Sequence, residues 1–342
     1  MHSVVKETPG PGARFAQSPV PKPGSGDILI RVLATSICGT DLHVYNWDEW
    51  AQHRVRPPRI MGHECAGEVV ELGEGARGVK VGDLVSIETH VTCGVCRACR
   101  TGQGHICEAV SILGVDRDGT FADYLTIPAK NAWVDPPGMD PALASIQEPF
   151  GNAVHTVFSG EVTGLRVAVV GAGPIGSMAV GVLRAAGAAK ILATDLSPSR
   201  LELARIMGAD VLVHAASEDL TLRMREESEG EGFDVVLEMS GSGRALAQAI
   251  RGLRNGGRVA LLGLPPREVS LNLGDDIIMR GITLQGITGR RMFEDWYLAR
   301  SLQESGRLDL LPLITHRLPL DGVDEAMRLL ESGDAGKIVL IP

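Results

Sequence analysis

Apolar residues follow two different rhythms along this chain, and the change between them is its first structural signal. Up to about residue 150, short β-branched runs such as 28–33 and 66–71 are separated by turn pairs such as Pro23-Gly24 and Gly82-Asp83, which predicts a mostly β region. Ser3, Val4 and Val5 read as the start of its first strand. From Thr163 onward, apolar strands alternate with Ala-rich and Leu-rich helical stretches: strand 165–170, helix 175–186, strand 191–194 and helix 199–207. Further strands are expected at 211–214, 233–238, 259–263 and 282–287, with a helix at 244–253. Six strands in this βαβ rhythm predict an α/β unit with a doubly wound parallel sheet. Beyond Arg291 the pattern is mixed again, with helices expected at 293–304 and 323–331 and a closing strand at 337–341.

Composition narrows the function classes. At 342 residues, two domains are the natural expectation. A chain that is 44% hydrophobic and 22% charged, without like-charge blocks, belongs with folded proteins rather than disordered ones. The net charge of -9 argues against a nucleic-acid partner, whose binding draws on clustered Lys and Arg. No apolar run approaches a membrane span, and a cytoplasmic location is the expectation. In that compartment six cysteines should be reduced, so clustered thiols are better read as metal ligands or catalytic groups than as a disulfide framework.

Gly171, Gly173 and Gly176 form GxGxxG directly after the expected strand and at the head of a helix. The first glycine makes the turn, the second admits a pyrophosphate to the backbone, and the third lets helix and strand approach. Alone the spacing is weak, and a glycine-rich turn that binds nothing is the alternative. Here the next strand ends in Asp195, roughly 20 residues on, as a dinucleotide site requires. A carboxylate there suits the ribose diol of NAD and would repel the 2′-phosphate of NADP, although Arg200 could serve either. With Leu196 rather than a basic residue beside Asp195, NAD is expected.

Cys93, Cys96, Cys99 and Cys107 follow CxxCxxCx7C. Four thiolates can close a tetrahedral shell and leave no open position, as a structural zinc requires. Arg97, Arg100 and backbone N–H groups could offset its negative charge. An iron–sulfur cluster and a disulfide pair are the alternatives. A second constellation is dispersed: Cys38-Gly-Thr-Asp-Leu-His43, Gly62-His63-Glu64, and Glu148. Cys38, His63 and Glu64 offer S, N and O donors but too few to close a zinc shell, and an open position is what Lewis-acid catalysis needs. Taken singly, Cys38 could be a buried small hydrophobe, His63 a satisfied core histidine, and Glu64 or Glu148 a surface carboxylate.

Gly62-His63-Glu64, with Gly67, Gly73 and Ala76 at their spacings, resembles the signature of zinc-containing medium-chain alcohol dehydrogenases. The similarity spans the whole chain. Residues 38–50, ending Asn46-Trp47-Asp48-Glu49-Trp50, and 148–156 resemble the L-threonine 3-dehydrogenases within that family; polyol dehydrogenases share the Cys38 and His63-Glu64 elements but are not associated with the Asn46-to-Trp50 run. The resemblance implies a GroES-like, mostly β catalytic domain (1–150 and 292–342, with the structural zinc lobe at 90–108) and a Rossmann domain binding NAD (151–291). It implies Cys38, His63 and Glu64 at a catalytic zinc, Glu148 as alternating ligand or relay group, and Thr40 and His43 in proton relay. It further implies Gly171, Gly173, Ile175, Gly176, Asp195 and Arg200 at the dinucleotide, with Leu262, Gly263, Leu264, Gly286 and Ile287 along the nicotinamide side. His90 matches a position near substrate, and the assembly implied is a homotetramer. The function implied is NAD-linked oxidation of L-threonine at C3. A polyol or 2,3-butanediol dehydrogenase is the nearest alternative, and a dinucleotide-binding sensor without turnover the more distant one.

Overall fold

Asp27–Ser36 is the ten-residue strand around which the first unit, Met1–Pro149 with Ile314–Pro342, is built. The computed structural model describes every residue from Met1 to Pro342. Ile28, Ile30 and Val32 alternate onto one face and meet Val69, Val85 and Ile127 in a buried cluster, the two-residue period of a strand with one face on a core. The strand pairs antiparallel with Glu64–Leu72, Ser36 opposite Glu64, with irregularities between Leu29/Ile30 and Val32/Ala34 that locally bend it. On its other side Ser36 lies opposite Val339 of the strand Lys337–Ile341. The closing strand of the chain is thereby separated from the strand that follows Gly62 by Asp27–Ser36 alone.

A second core of this unit gathers Val4, Ile37, Val44, Met61, Phe121, Ile338 and Leu340. It seats the helices Gly39–Asn46 and Val323–Ser332, which contribute Val44 and Ala326 to it. Truncating a side chain such as Leu340 to Ala would cost about 2–5 kcal/mol at such a site.

The second unit, Phe150–Leu313, holds a six-stranded parallel sheet. Its strands run Val211–His214, Lys190–Asp195, Arg166–Val170, Phe233–Glu238, Leu253–Leu261 and Thr283–Gly286 from edge to edge. Reading outward, the first strand in sequence lies inside and the connection reverses beside it, the doubly wound order expected from the sequence. Val167, Ala168, Val169 and Val170 are successive and all buried, because helices cover both faces of a parallel sheet. Ser197, Asp219 and Ser242 each accept a backbone N–H at the head of the following helix, worth about 1 kcal/mol apiece.

Two expectations are corrected. The helix expected at 293–304 is Glu294–Glu304 and belongs to the second unit, with the return to the first at Ile314 rather than residue 292. Its Trp296 is buried under the Arg290 guanidinium, 5.9 Å from the ring centroid, and Arg290 in turn donates to Asn152 Oδ1. The apolar period of a helix is the same whichever core receives it, so the pattern could not assign the partner. The helix expected at 244–253 is Gly243–Gly252, and Leu253 already begins a strand. No helix is long and apolar enough to cross a membrane.

Candidate active site and metal centres

Cys38 is the N-cap of the helix Gly39–Asn46, where its backbone N–H donates to Asp41 Oδ2 at 2.9 Å. Its Sγ lies 3.9 Å from the Thr40 hydroxyl. Gly62 adopts φ of 87°, and a Cβ there would stand 2.2 Å from the Phe121 ring, so only glycine delivers His63 and Glu64 to this place. His63 is 5% exposed and Glu64 wholly buried. The ligand atoms of Cys38, His63 and Glu64 lie within 4.8 Å of one another.

The surroundings of these three side chains fix what they can do. His63 Nδ1 stands 3.3 Å from Asp41 Oδ1, paired by charge though outside hydrogen-bond geometry, which favours Nε2 as the ligand atom, an arrangement close to the carboxylate-backed one of metal-binding histidines. Burial opposes the charged imidazolium, but Asp41 and Cys38 lift His63 well above its usual range. Glu64 Oε2 accepts from Lys337 Nζ and from Ser36 Oγ, while Oε1 is buried with no hydrogen-bond partner. Burial pushes the Glu64 carboxyl up, Lys337 and His63 pull it down, and Glu148 pushes it up again. Glu148 lies on the helix Gln147–Val157, outside the three-residue cluster but close enough for its charge to reach Glu64. An orphaned buried oxygen beside a thiol and an imidazole is the donor set that zinc satisfies.

The four-cysteine lobe has the dimensions of a closed metal shell. Sγ–Sγ separations are 3.5 Å for Cys93–Cys107, 3.9 Å for Cys96–Cys107 and 4.0 Å for Cys93–Cys99. Tetrahedral Zn–S bonds of about 2.3 Å give edges of about 3.8 Å. All six cysteines are free thiols. The N–H groups of Cys96 and Cys93 point at Cys93 Sγ and Cys107 Sγ, each at 3.4 Å. Backbone donors, led by that of Val95, hold Cys93 down at about 6.

In the second unit a cavity of about 420 Å³ opens at the strand ends, lined by Gly171, Gly173, Asp195 and Arg200 among others. A Cβ on Gly176 would fall 1.9 Å from Gly171 O, so this glycine serves the close approach of helix and strand. Gly173 caps the helix Pro174–Ala185 with no side-chain partner, and a Cβ there would meet nothing within 4 Å. A pyrophosphate fits that open cradle. Asp195 accepts from Ala172 N at 2.8 Å and Ser197 N at 3.0 Å, which fixes its carboxylate at the cavity wall. Arg200 Nε is buried without a partner.

Ile175, Leu262, Gly263, Leu264, Gly286 and Ile287 do not line this cavity. Leu262 N and Gly263 N bond Glu238 O, Ile287 N bonds Leu261 O, Gly286 pairs with Leu261, and Leu264 is largely exposed. The wall also includes Thr194, Ser240, Ser242, Arg244 and Gln248, which the sequence reading did not single out.

Two family models match the chain: the alcohol dehydrogenase GroES-like domain over residues 24–137 and the zinc-binding dehydrogenase domain over residues 174–304. An L-threonine 3-dehydrogenase of Caldanaerobacter subterraneus subsp. tengcongensis is 50% identical over 343 residues, spanning 100% of this chain and 99% of that protein. The chain belongs to the zinc-binding alcohol dehydrogenases. An archaeal relative, the L-threonine 3-dehydrogenase of Pyrococcus horikoshii, is 47% identical over 342 residues, spanning 100% of this chain and 98% of that protein. The alcohol dehydrogenase of Thermus sp. ATN1 superposes with a TM-score of 0.91 at 32% identity, covering 100% of this chain and 99% of that one. This dehydrogenase is therefore a zinc and nicotinamide-dinucleotide oxidoreductase acting on a small molecule.

Three residues of the first unit escaped the sequence reading. Asp41 carried a local signal, since a carboxylate three residues after a helix N-cap forms the reciprocal half of a capping box. Ser36 and Lys337 carried none, because both reach Glu64 only through the pairing of distant strands.

Proposed function

We infer that this dehydrogenase oxidises the C3 hydroxyl of L-threonine with NAD as hydride acceptor, yielding 2-amino-3-oxobutanoate. The observation that carries this reading is end-to-end identity near one half with proteins named L-threonine 3-dehydrogenase. Cys38, His63 and Glu64 are the residues that would hold the catalytic zinc, with Glu148 as a fourth, alternating carboxylate, and Cys93, Cys96, Cys99 and Cys107 would hold the structural one. Zinc supplies a Lewis acid that lowers the pKa of the substrate hydroxyl, and NAD supplies the hydride acceptor.

The remaining work falls to the chain. Asp41 orients His63 through Nδ1, and Lys337 and Ser36 anchor one Glu64 oxygen so that the other stays available. Thr40 and His43, one helical turn apart and so on one face, take the hydroxyl proton toward solvent. His90, whose Nδ1 bonds Glu88 Oε1 at 3.0 Å, is placed near a polar group of the amino acid by the family resemblance. Asp195 and Arg200 hold the adenosine ribose, and the carboxylate selects NAD. We place the protein in the cytoplasm as a homotetramer, with the edge strand Thr283–Gly286 and the nearby exposed Ile278 and Met279 as one pairing surface. Light scattering tests the assembly.

NADH formation with L-threonine, sorbitol and 2,3-butanediol compared side by side tests the substrate. Threonine should exceed the other two in kcat/KM by at least about a hundredfold, the discrimination available when buried polar groups must all be matched. A polyol or diol preference would overturn the reading.

A further inference from the structure

The helix Gly39–Asn46 does not simply end. Trp47 turns into the left-handed region (φ 58°, ψ 44°) and sends its N–H back to His43 O. Asp48 then opens the helix Glu49–Arg54, with Oδ1 accepting from Ala51 N at 3.0 Å. The reversal returns the other oxygen, Oδ2, to within 2.5 Å of His43 Nδ1. The Trp50 ring packs on the His43 ring at 5.9 Å, and Lys6 holds the turn from the far side, its Nζ 5.2 Å from the Trp47 ring and 3.0 Å from Tyr45 O.

We propose that Asp48 is a positioning residue for the reaction: it holds the proton of neutral His43 on Nδ1, so that Nε2 is the lone pair presented to the relay. The inference rests on the relay role of His43 given above. A ring nitrogen hydrogen-bonded to a carboxylate carries the proton, and the opposite nitrogen becomes the acceptor. The carboxylate cannot swing away without leaving Ala51 N unsatisfied, so one side chain sets both the start of the second helix and the tautomer. Burial alone would raise the Asp48 carboxyl, yet the Ala51 N–H and His43 together hold it below its usual range.

The test uses the zinc-loaded, full-length enzyme and four variants: Asp48→Ser, which keeps an N-cap acceptor but is too short to reach the imidazole, Asp48→Asn, His43→Ala, and His43→Ala combined with Asp48→Ser. Long-range proton–nitrogen NMR of His43 should report Nδ1–H in the parent enzyme and loss of that preference in Asp48→Ser. Threonine turnover should fall roughly tenfold or more in Asp48→Ser, with KM for NAD unchanged, and should not recover in Asp48→Asn, whose one oxygen stays on Ala51 N and turns the amide NH2 toward His43 Nδ1, favouring the opposite tautomer. No further fall should occur when Asp48→Ser is added to His43→Ala. An unchanged tautomer in Asp48→Ser, or equal loss with and without His43, overturns the inference alone. Full turnover in His43→Ala overturns the relay and the inference together.

Discussion

Lys337 Nζ donates to Glu64 Oε2 across 273 positions of sequence, and both side chains are buried. The ammonium also donates to Ile37 O at 2.7 Å, so it ties the closing strand to the chain entering the Cys38 helix. Removing one partner of a buried pair leaves an uncompensated charge, at a cost of about 3–5 kcal/mol. Lys337→Met should therefore destabilise the protein strongly after chelation and less when zinc is bound, because the cation takes over the compensation of Glu64. Chemical denaturation with and without chelator measures the difference. Equal losses in both states would separate Lys337 from the metal site.

Lys6 gives a pH dependence of known sign. Its Nζ is buried against Gly12 O at 2.8 Å and Tyr45 O, and burial lowers it from 10.5 to about 8. The unfolded chain thus binds more protons at this residue between those two values, so its contribution is least favourable below about pH 8 and recovers as pH rises through that window. The stability difference between the parent and Lys6→Met should shift toward the parent between about pH 7 and about pH 9.5 in urea titrations. A pH-independent difference would contradict this.

Metal removal from the cysteine lobe should act locally. Cys107→Ser breaks a four-thiolate shell, and the exposed Cys93 and its turn have little apolar packing of their own. We expect the loss of about one zinc per chain and faster proteolysis within 93–107, while NAD affinity is retained. Metal analysis and limited digestion read both.

Cofactor choice should turn on charge at the second strand terminus. Asp195→Asn keeps an oxygen for Ala172 N but removes the repulsion toward a 2′-phosphate. The NAD over NADP ratio of kcat/KM should fall by roughly tenfold or more, the loss expected for hydrogen bonds to a charged group. An unaltered ratio would remove Asp195 from cofactor selection.

Local rhythm and motif chemistry made the parallel sheet, the glycine turn, both cysteine-containing constellations and Asp195 legible before any coordinates. The sheet, the glycine turn, the cysteine lobe and Asp195 are written in residues that are near neighbours or that carry a spacing with a physical meaning, whereas the dispersed Cys38 and His63-Glu64 are joined by their donor chemistry and by the family resemblance. Residues whose role depends on distant pairing were not legible. Lys337 and Ser36 meet Glu64 through strand register alone, and the Arg290–Trp296 stack that assigns the helix Glu294–Glu304 to the second unit joins a loop to a helix whose pattern suits either core. The nicotinamide-side residues 262–264 and 286–287 came from resemblance, and they lie outside the cavity that Asp195 and Gly173 line. Asp48 stood in plain view beside two tryptophans, but a turn that doubles back five residues onto His43 needs the left-handed Trp47, a conformation no local signal announced.

Anomalous scattering at the zinc edge, from crystals of a preparation that oxidises L-threonine, tests the central claim most directly. Two peaks per chain are predicted, one inside the four-cysteine lobe and one among Cys38, His63 and Glu64. A single peak, confined to the lobe in a fully active preparation, would contradict the account.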